Sequence, residues 1–416
     1  MKVLHINTSQ AGGAAWCAIR INKALSLIGV DSRMLFAEGE SMPEGVKGAI
    51  AVRDQESWYS NSLTTKIKHV LNRMPWYWDK EKMDMQINDA ISKIEGERPY
   101  VHHPYSYYRN IANHPLVEWA DIIHLHWVPD FVDYPTFFRQ VKRPIVWTLH
   151  DKYPAEGVMH YSSKYFPVPE ELKDIDKRSR QAKRKGVKKS QNLNIVAISD
   201  EMIDLCKKSE VLYDFPITLI HNGVDTNVFK PYDKHIARKS LGLPSTAKIF
   251  LFSSYGINDR NKGLDRLICA LEKSDISNIL LVCIGEDLGC ELPKARFSII
   301  ITGLQKEQEK IAKYYSASDF FMQCSYEETF AQTPLEAMSC GTPVISTPCS
   351  GAKDLIRPFN GVICSGYDSN AIAEGIQKAI NTQYNCNTIR QYIVENYEYS
   401  IIAQQYKELY ESILES

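Results

Sequence analysis

The chain has 416 residues, too many for one ordinary hydrophobic core, so two domains of roughly 200 residues each are expected. Lys and Arg total 49 against 50 Asp and Glu, a net charge of −1, which excludes a global polyelectrolyte attraction to nucleic acid. Ten cysteines lack paired spacing, and only Cys17 falls in the first 200 residues; this fits neither a disulfide framework nor a zinc ribbon and suits a reducing compartment.

Short apolar runs at 3–7, 32–36, 121–126, 145–150, 194–198 and 218–221 alternate with helix-length segments. A second set follows at 249–253, 279–284, 299–302, 320–323, 343–346 and 361–364. Strands alternating with helices predict an α/β protein of two doubly wound, Rossmann-like parallel sheets. Asn222-Gly223, Pro231 and Pro244 mark the break between the sets. The expected organisation is therefore a first domain over 1–228, a second over 229–395 and a terminal segment over 396–416 that carries an amphipathic helix. The apolar run behind Met1 meets Gly12-Gly13 too soon for a signal-peptide core, and no stretch approaches the ~18 apolar residues of a membrane span. A cytoplasmic protein is expected.

In open sheets of this kind ligands bind beyond the carboxyl ends of the strands. Gly12-Gly13 follow the first strand, His150-Asp151 the fourth, Lys262-Gly263 the first strand of the second set, and Glu328 the run 320–323. Two sheets facing each other would bring these edges to one cleft.

The stretch N-T-S-Q-A-G-G-A at 7–14 reads as a strand, a small-residue loop and a helix start, which offers free amides and a positive dipole end to an anion. A plain tight turn is the alternative. Arg260 and Lys262 stand at the head of a helix beginning near Leu264, where cations oppose the macrodipole unless an anion lies between them; the alternative is a solvated loop with two surface cations.

The stretch E-T-F-A-Q-T-P-L-E-A-M-S-C-G-T-P-V at 328–344 places Glu328 before a helix and Glu336 near its start. Thr333 with Glu336 reads as a capping box, with Pro334 as the first helical residue and Gly341 as the stop. That would make Glu336 structural, and it leaves Glu328 unexplained. Amides of 330–333 suit a phosphate, whereas ionised glutamates suit neutral hydroxyls. Phosphates in the middle and hydroxylated rings at both ends describe a nucleotide-sugar.

The series G-G-A, H-L-H-W, T-L-H-D, H-N-G-V-D, the Asn261-Lys262-Gly263 loop, Ser318-Asp319 and the two-glutamate stretch resembles glycosyltransferase family 4, retaining enzymes of the GT-B fold. Within the family it looks most like transferases of bacterial exopolysaccharide, colanic-acid-type or capsular material. The resemblance implies a hexosyltransferase (EC 2.4) using a UDP- or GDP-sugar, with a saccharide or lipid-linked acceptor and no metal or other cofactor. It implies that Glu336 binds the ribose hydroxyls, that Glu328 binds the 3- or 4-hydroxyl of the donor sugar, and that Thr329, Phe330, Ala331, Gln332 and Thr333 surround the sugar and diphosphate. Lys262 would hold the diphosphate as charge grows on it, Gly12 and Gly13 would close over the phosphates, and His150 would approach the reacting centre. It also implies that the terminal helix crosses back to the first domain.

Three departures from the family pattern stand out. Gly256 occupies the position of a frequent arginine, for which Arg260 is the available substitute. Ala331 replaces a glycine. Residues 152–161, K-Y-P-A-E-G-V-M-H-Y, replace a stretch that often carries cysteines, which points to different acceptor-side chemistry.

His124 and His126 share one face of a strand, and with no further His or Cys at ligand spacing they read as a packed pair rather than a metal site. Asp174-Ile175-Asp176 reads as surface charge on a basic helix. Residues 173–189, with nine Lys or Arg, and the aromatic segment 63–78 suit docking on an anionic lipid surface at the inner face of the cell membrane; a solvated helix face and a core-packing helix are the alternatives. A nucleotide-sugar epimerase and a non-catalytic glycan-binding module are the competing functions.

Overall fold

The computed structural model describes residues 1–51, 79–108, 110–161, 163–287, 289 and 292–416. The aromatic segment 63–78 lies outside the described residues. The chain divides into two compact units: Met1–Ile198, Met202–Ile220 and Tyr406–Ser416 form the first, and Ser199–Glu201 with His221–Gln405 form the second.

The first unit contains a parallel sheet of β1 (Lys2–Asn7), β2 (Asp31–Phe36), β3 (Gly48–Ile50), β4 (Ile122–Leu125), β5 (Ile145–Leu149), β6 (Leu193–Ala197) and β7 (Ile217–Leu219), in the order 3-2-1-4-5-6-7. The second contains β8 (Lys248–Gly256), β9 (Ile279–Glu286), β10 (Ser298–Ile301), β11 (Phe320–Gln323), β12 (Val344–Ser346) and β13 (Gly361–Ile363), in the order 10-9-8-11-12-13. Every pairing in both sheets is parallel. The twelve expected strands are present. β3 was missed because three residues, G-A-I, half exposed at a sheet edge, carry too little apolar signal.

The central strands are buried along nearly their whole length, as continuous apolar runs covered on both faces must be. Trp147 on β5 anchors the first core, packing against Tyr134 and Phe138 with ring centroids 5.6 and 5.7 Å away. In the second core Phe250 stacks on Phe320 at 5.7 Å. Among the described residues no helix is long and apolar enough to cross a membrane.

Two boundaries differ from the sequence expectation. The first unit ends at Ile220 rather than 228, because Asn222 Nδ2 donates to Phe330 O at 2.9 Å and Val224 exchanges backbone bonds with Tyr397 and Tyr399. The final helix, Tyr399–Glu415, belongs to the first unit only from Tyr406 onward. Tyr406 and Tyr410 are fully buried there and bond to Thr148 and His124 at 2.9 and 2.7 Å.

The helix Lys173–Val187 corrects two readings. Asp176 is not surface charge: it is buried and accepts from Val158 N at 2.8 Å and from Arg180 at 2.8 Å. Lys183, counted in the basic docking face, is fully buried, donating to the carbonyls of Tyr153, Glu156 and Gly157. The polar face of the helix is narrower than its composition suggests, since these two groups fasten the loop 151–160.

Candidate functional site

In each sheet the strand order reverses direction once, between β1 and β4 in the first unit and between β8 and β11 in the second. Crevices for ligands form at such switch points, beyond the carboxyl ends of the strands. In the second unit Lys262 follows β8 and Glu328 follows β11, so the two candidate groups straddle that point.

They meet there. Lys262 Nζ donates to Glu328 Oε1, and Ser325 Oγ donates to the same oxygen at 2.9 Å. The local cost of a cation at a helix head is thus offset by a carboxylate of the same unit. Two loops are bolted together to achieve it. The buried Asn261 side chain donates to Glu327 O at 2.9 Å and accepts from Glu327 N at 2.8 Å, while Tyr326 N donates to Asn261 O at 2.9 Å. Arg266 donates to Cys324 O at 2.6 Å and lies 3.4 Å over the Tyr326 ring. Gly263, at φ 74°, caps the helix Leu264–Glu272; a Cβ there would meet Cys324 O at 2.6 Å, so the close approach of the loops requires glycine. Arg260 is an exposed residue of the loop.

Glu336 sits differently from the capping-box expectation. The helix runs Gln332–Ser339 with Ala331 as its N-cap and no side-chain cap, which puts Thr333 and Pro334 inside the first turn. Glu336 is buried, and Tyr315 Oη donates to its Oε2 at 3.0 Å. The helix does stop where Gly341 takes φ 81°. Without a side-chain cap hydrogen bond, this N-terminus directs the positive end of its dipole toward a potential anion. The approach to it is held open from behind: Phe330 O accepts from Asn222, Thr329 O accepts from Ser350 Oγ at 3.2 Å, and Phe330 stacks on His221 at 5.0 Å. Gly351, at φ 71°, permits this, since a Cβ would fall 2.8 Å from Phe330 Cα.

In the first unit Gly12, at φ 90°, caps the helix Gly13–Leu27, again without a side-chain cap. A Cβ on either Gly12 or Gly13 would meet nothing within 4 Å, so the turn is glycine-rich for its backbone and its open approach. His150, at the end of β5, pairs its Nε2 with His126 Nδ1 at 3.0 Å, and His126 Nε2 pairs with His5 Nδ1 at 2.8 Å. Burial lowers His150 to about 4 and His5 to about 3, and it lowers His124 and His126 too, with the neighbouring histidines adding to the effect. The chain of rings is neutral at pH 7.

His5 overturns the expectation that no third histidine joins His124 and His126. It pairs directly with His124 across β1 and β4, and ring nitrogens of the three lie within 4.8 Å of one another. Hydrogen bonds engage both nitrogens of His124 (Thr148 at 2.7 Å and Tyr410 at 2.7 Å) and both of His126; only His5 Nε2 is buried without a partner. His5, Asn261, Arg266 and Tyr315 were all missed from sequence. Asn261 had a signal in its place beside Lys262-Gly263. The others act through partners more than 20 positions away in the chain.

The two doubly wound sheets, with a lysine and two glutamates at the second switch point, define a GT-B architecture. Two family models match in chain order: one described as Glycosyltransferase Family 4 over residues 88–228, and one described as Glycosyl transferases group 1 over residues 233–396. The chain belongs to the GT-B glycosyltransferases of family 4. Curated relatives include a D-inositol 3-phosphate glycosyltransferase of Thermobispora bispora, 28% identical over 211 residues (45% of this chain, 47% of the relative), and one of Catenulispora acidiphila, 31% identical over 190 residues (41% and 45%). The chain spans about half the length of these relatives. Among solved structures, sucrose-phosphate synthase from Thermosynechococcus elongatus superposes with a TM-score of 0.69 at 18% identity, covering 99% of each chain. Anabaena HepE in complex with UDP and glucose gives 0.65 at 18% identity, covering 99% of this chain and 100% of its own. At such identity these two establish the fold alone.

Proposed function

We propose that the protein is a retaining glycosyltransferase that moves a sugar from a nucleoside-diphosphate donor to a glycan or lipid-linked saccharide in bacterial surface polysaccharide synthesis, without a metal. The observation that carries this reading is the set of groups at the second switch point. A lysine and uncapped helix amides suit a diphosphate, and Glu328 and Glu336 suit ring hydroxyls.

In this reading the diphosphate competes with Glu328 for Lys262, freeing the carboxylate for the donor sugar. Lys262 then stabilises the charge that develops on the leaving phosphate. Glu336, oriented by Tyr315, accepts from the ribose hydroxyls. His150 is kept neutral by burial, so it contributes no charge to the reaction. HepE, of the same fold, is described with UDP-glucose, which makes UDP-sugars the first donors to test. The curated relatives act on an inositol phosphate by name, and a small polyol phosphate is the acceptor to set against a lipid-linked glycan. Docking of the helix Lys173–Val187 on anionic lipid remains part of the proposal through its outward cations only.

The test is thermal unfolding with a panel of UDP-, GDP- and ADP-sugars. A ligand that binds only the folded state at 100 times its Kd stabilises it by about 2.7 kcal/mol. One nucleotide class should raise Tm, and Lys262→Ala and Glu336→Gln should each remove most of that rise while the ligand-free Tm stays near wild type. Unchanged protection in both variants would sink the site assignment. Rapid sugar isomerisation with donor alone would favour an epimerase.

A further inference from the structure

β1 and β4 flank the switch point of the first unit, and their side chains begin a row of rings that ends at His150. His5 on β1 is in register with His124 on β4, and His126 follows two residues later. The backbone of His126 is fixed as well, since its N–H donates to Ile6 O at 3.0 Å and its carbonyl accepts from Trp147 Nε1 at 3.0 Å. Three rings then run in line. His5 Nδ1 faces His126 Nε2 at 2.8 Å, and His126 Nδ1 faces His150 Nε2 at 3.0 Å. Neighbouring centroids are 5.1 and 5.2 Å apart, with planes 18° and 21° apart. Nitrogens this close place the rings edge to edge, each contact lying along a lone-pair direction.

The protons in this row can be counted. Burial lowers all three rings, His5 to about 3 and His150 to about 4, so each is neutral at pH 7 and carries one N–H and one lone pair. Each contact holds one proton, and the middle ring has only one to give. If His126 gives it to His150, His5 must supply the other contact, and every ring has its proton on Nδ1. If His126 gives it to His5, His150 must supply the other, and every ring has its proton on Nε2. No mixed arrangement of neutral rings fills both contacts. The third proton therefore lies at one end of the row, on His150 Nδ1 or on His5 Nε2.

Burial decides between the ends. His5 is fully buried, and its Nε2 has no hydrogen-bond partner among the described residues. The His124 ring, 4.8 Å away, offers it none, because the His124 nitrogens face Thr148 and Tyr410, both at 2.7 Å. A proton on His5 Nε2 would be a buried donor without an acceptor, a rare and costly state, whereas a bare lone pair there is better tolerated. His150, at the other end, is only partly buried. We propose that the closed end at His5 orders the row outward, so that His126 donates to His150 Nε2 and holds His150 with its proton on Nδ1. His126 is then a positioning residue, fixing the orientation and tautomer of His150 without meeting the substrate. Its effect on sugar transfer rests on the glycosyltransferase reading, in which His150 approaches the reacting centre; the order of the protons does not depend on it.

The experiment labels the histidines of the full chain with 15N and records long-range 1H–15N spectra at pH 7, in which rings protonated on Nδ1 and on Nε2 give different cross-peak patterns. His150 is assigned from the peaks lost in His150→Gln. Wild type should show the Nδ1–H pattern at His150. His126→Leu removes the donor and should let His150 populate Nε2–H, while His126→Asn, whose Nδ2 stands near the lost Nδ1–H, should restore the wild-type pattern. Nucleotide release from UDP-, GDP- and ADP-glucose is measured on the same samples. For the nucleotide that turns over, kcat should fall about tenfold or more in His126→Leu with KM nearly unchanged, and should recover in His126→Asn. An Nε2–H pattern at His150 in wild type overturns the proposal whether or not the variants fold, and so does an unchanged pattern in folded His126→Leu. No release by wild type from any of the three defeats the transferase reading and leaves the proton order to be judged from the spectrum alone.

Discussion

At the switch point of the second unit one lysine and two glutamates are held by side chains that bond to backbone, Asn261 to Glu327 and Arg266 to Cys324. At the same topological position the first unit carries histidines and aspartates bonded mainly to one another, with His150, His126 and His5 in one chain and Asp151, His160 and His102 in another. One strand order therefore serves two chemistries. Topology decides where a crevice forms, and the loop residues decide the chemistry it presents. The second unit presents fixed charge, whereas in the first burial keeps the rings of His5, His102, His126 and His150 neutral.

Acid should separate the units most strongly. Among the described residues the histidines with clearly lowered pKa, His5, His102, His114, His124, His126 and His150, all belong to the first unit. A histidine with a lowered folded value binds fewer protons folded than unfolded, so its contribution is fully present above 6.5 and is lost as pH falls toward about 4 and about 3. In the second unit Asp319, lowered through Lys234 and Lys248 against its burial, contributes stability that is lost only as pH falls below the ordinary carboxylate value of 3.8. All seven tryptophans lie before residue 198, so tryptophan fluorescence follows the first unit. It should begin to change between pH 6 and 5, ahead of far-UV circular dichroism; coincident curves would break the contrast.

Lys183→Ala should cost the first unit about 3–5 kcal/mol, because it opens a cavity and strands buried carbonyls of Tyr153 and Gly157. Urea unfolding followed by tryptophan fluorescence measures it, and UDP-sugar protection of the second unit should survive. Gly263→Ala acts on the other side. Its left-handed φ and the encroachment on Cys324 O should cost about 2 kcal/mol and displace Lys262, lowering nucleotide protection while the tryptophan signal stays put. Tyr315→Phe should have the smallest effect, about 1 kcal/mol from one hydrogen bond to Glu336, seen as a few-fold weaker nucleotide affinity by calorimetry with Lys262 undisturbed.

The sequence by itself determined the two parallel sheets, because buried parallel strands are continuous apolar runs that need no partner to be recognised. It also placed Lys262, Glu328 and His150 beyond strand ends, since a strand end followed by a polar or glycine-rich loop is a local pattern. Capping at Thr333 was misread because a box of the right spacing fits two helix starts, and the choice of Ala331 follows from Phe330 being fastened to Asn222, 108 residues away. Only the tertiary structure decided that Asp176 and Lys183 are buried, that His5 joins His124 across β1 and β4, and that His102 reaches His160. Each of these is a pairing between distant segments, and its energy depends on burial, which one residue's neighbours in the chain do not report.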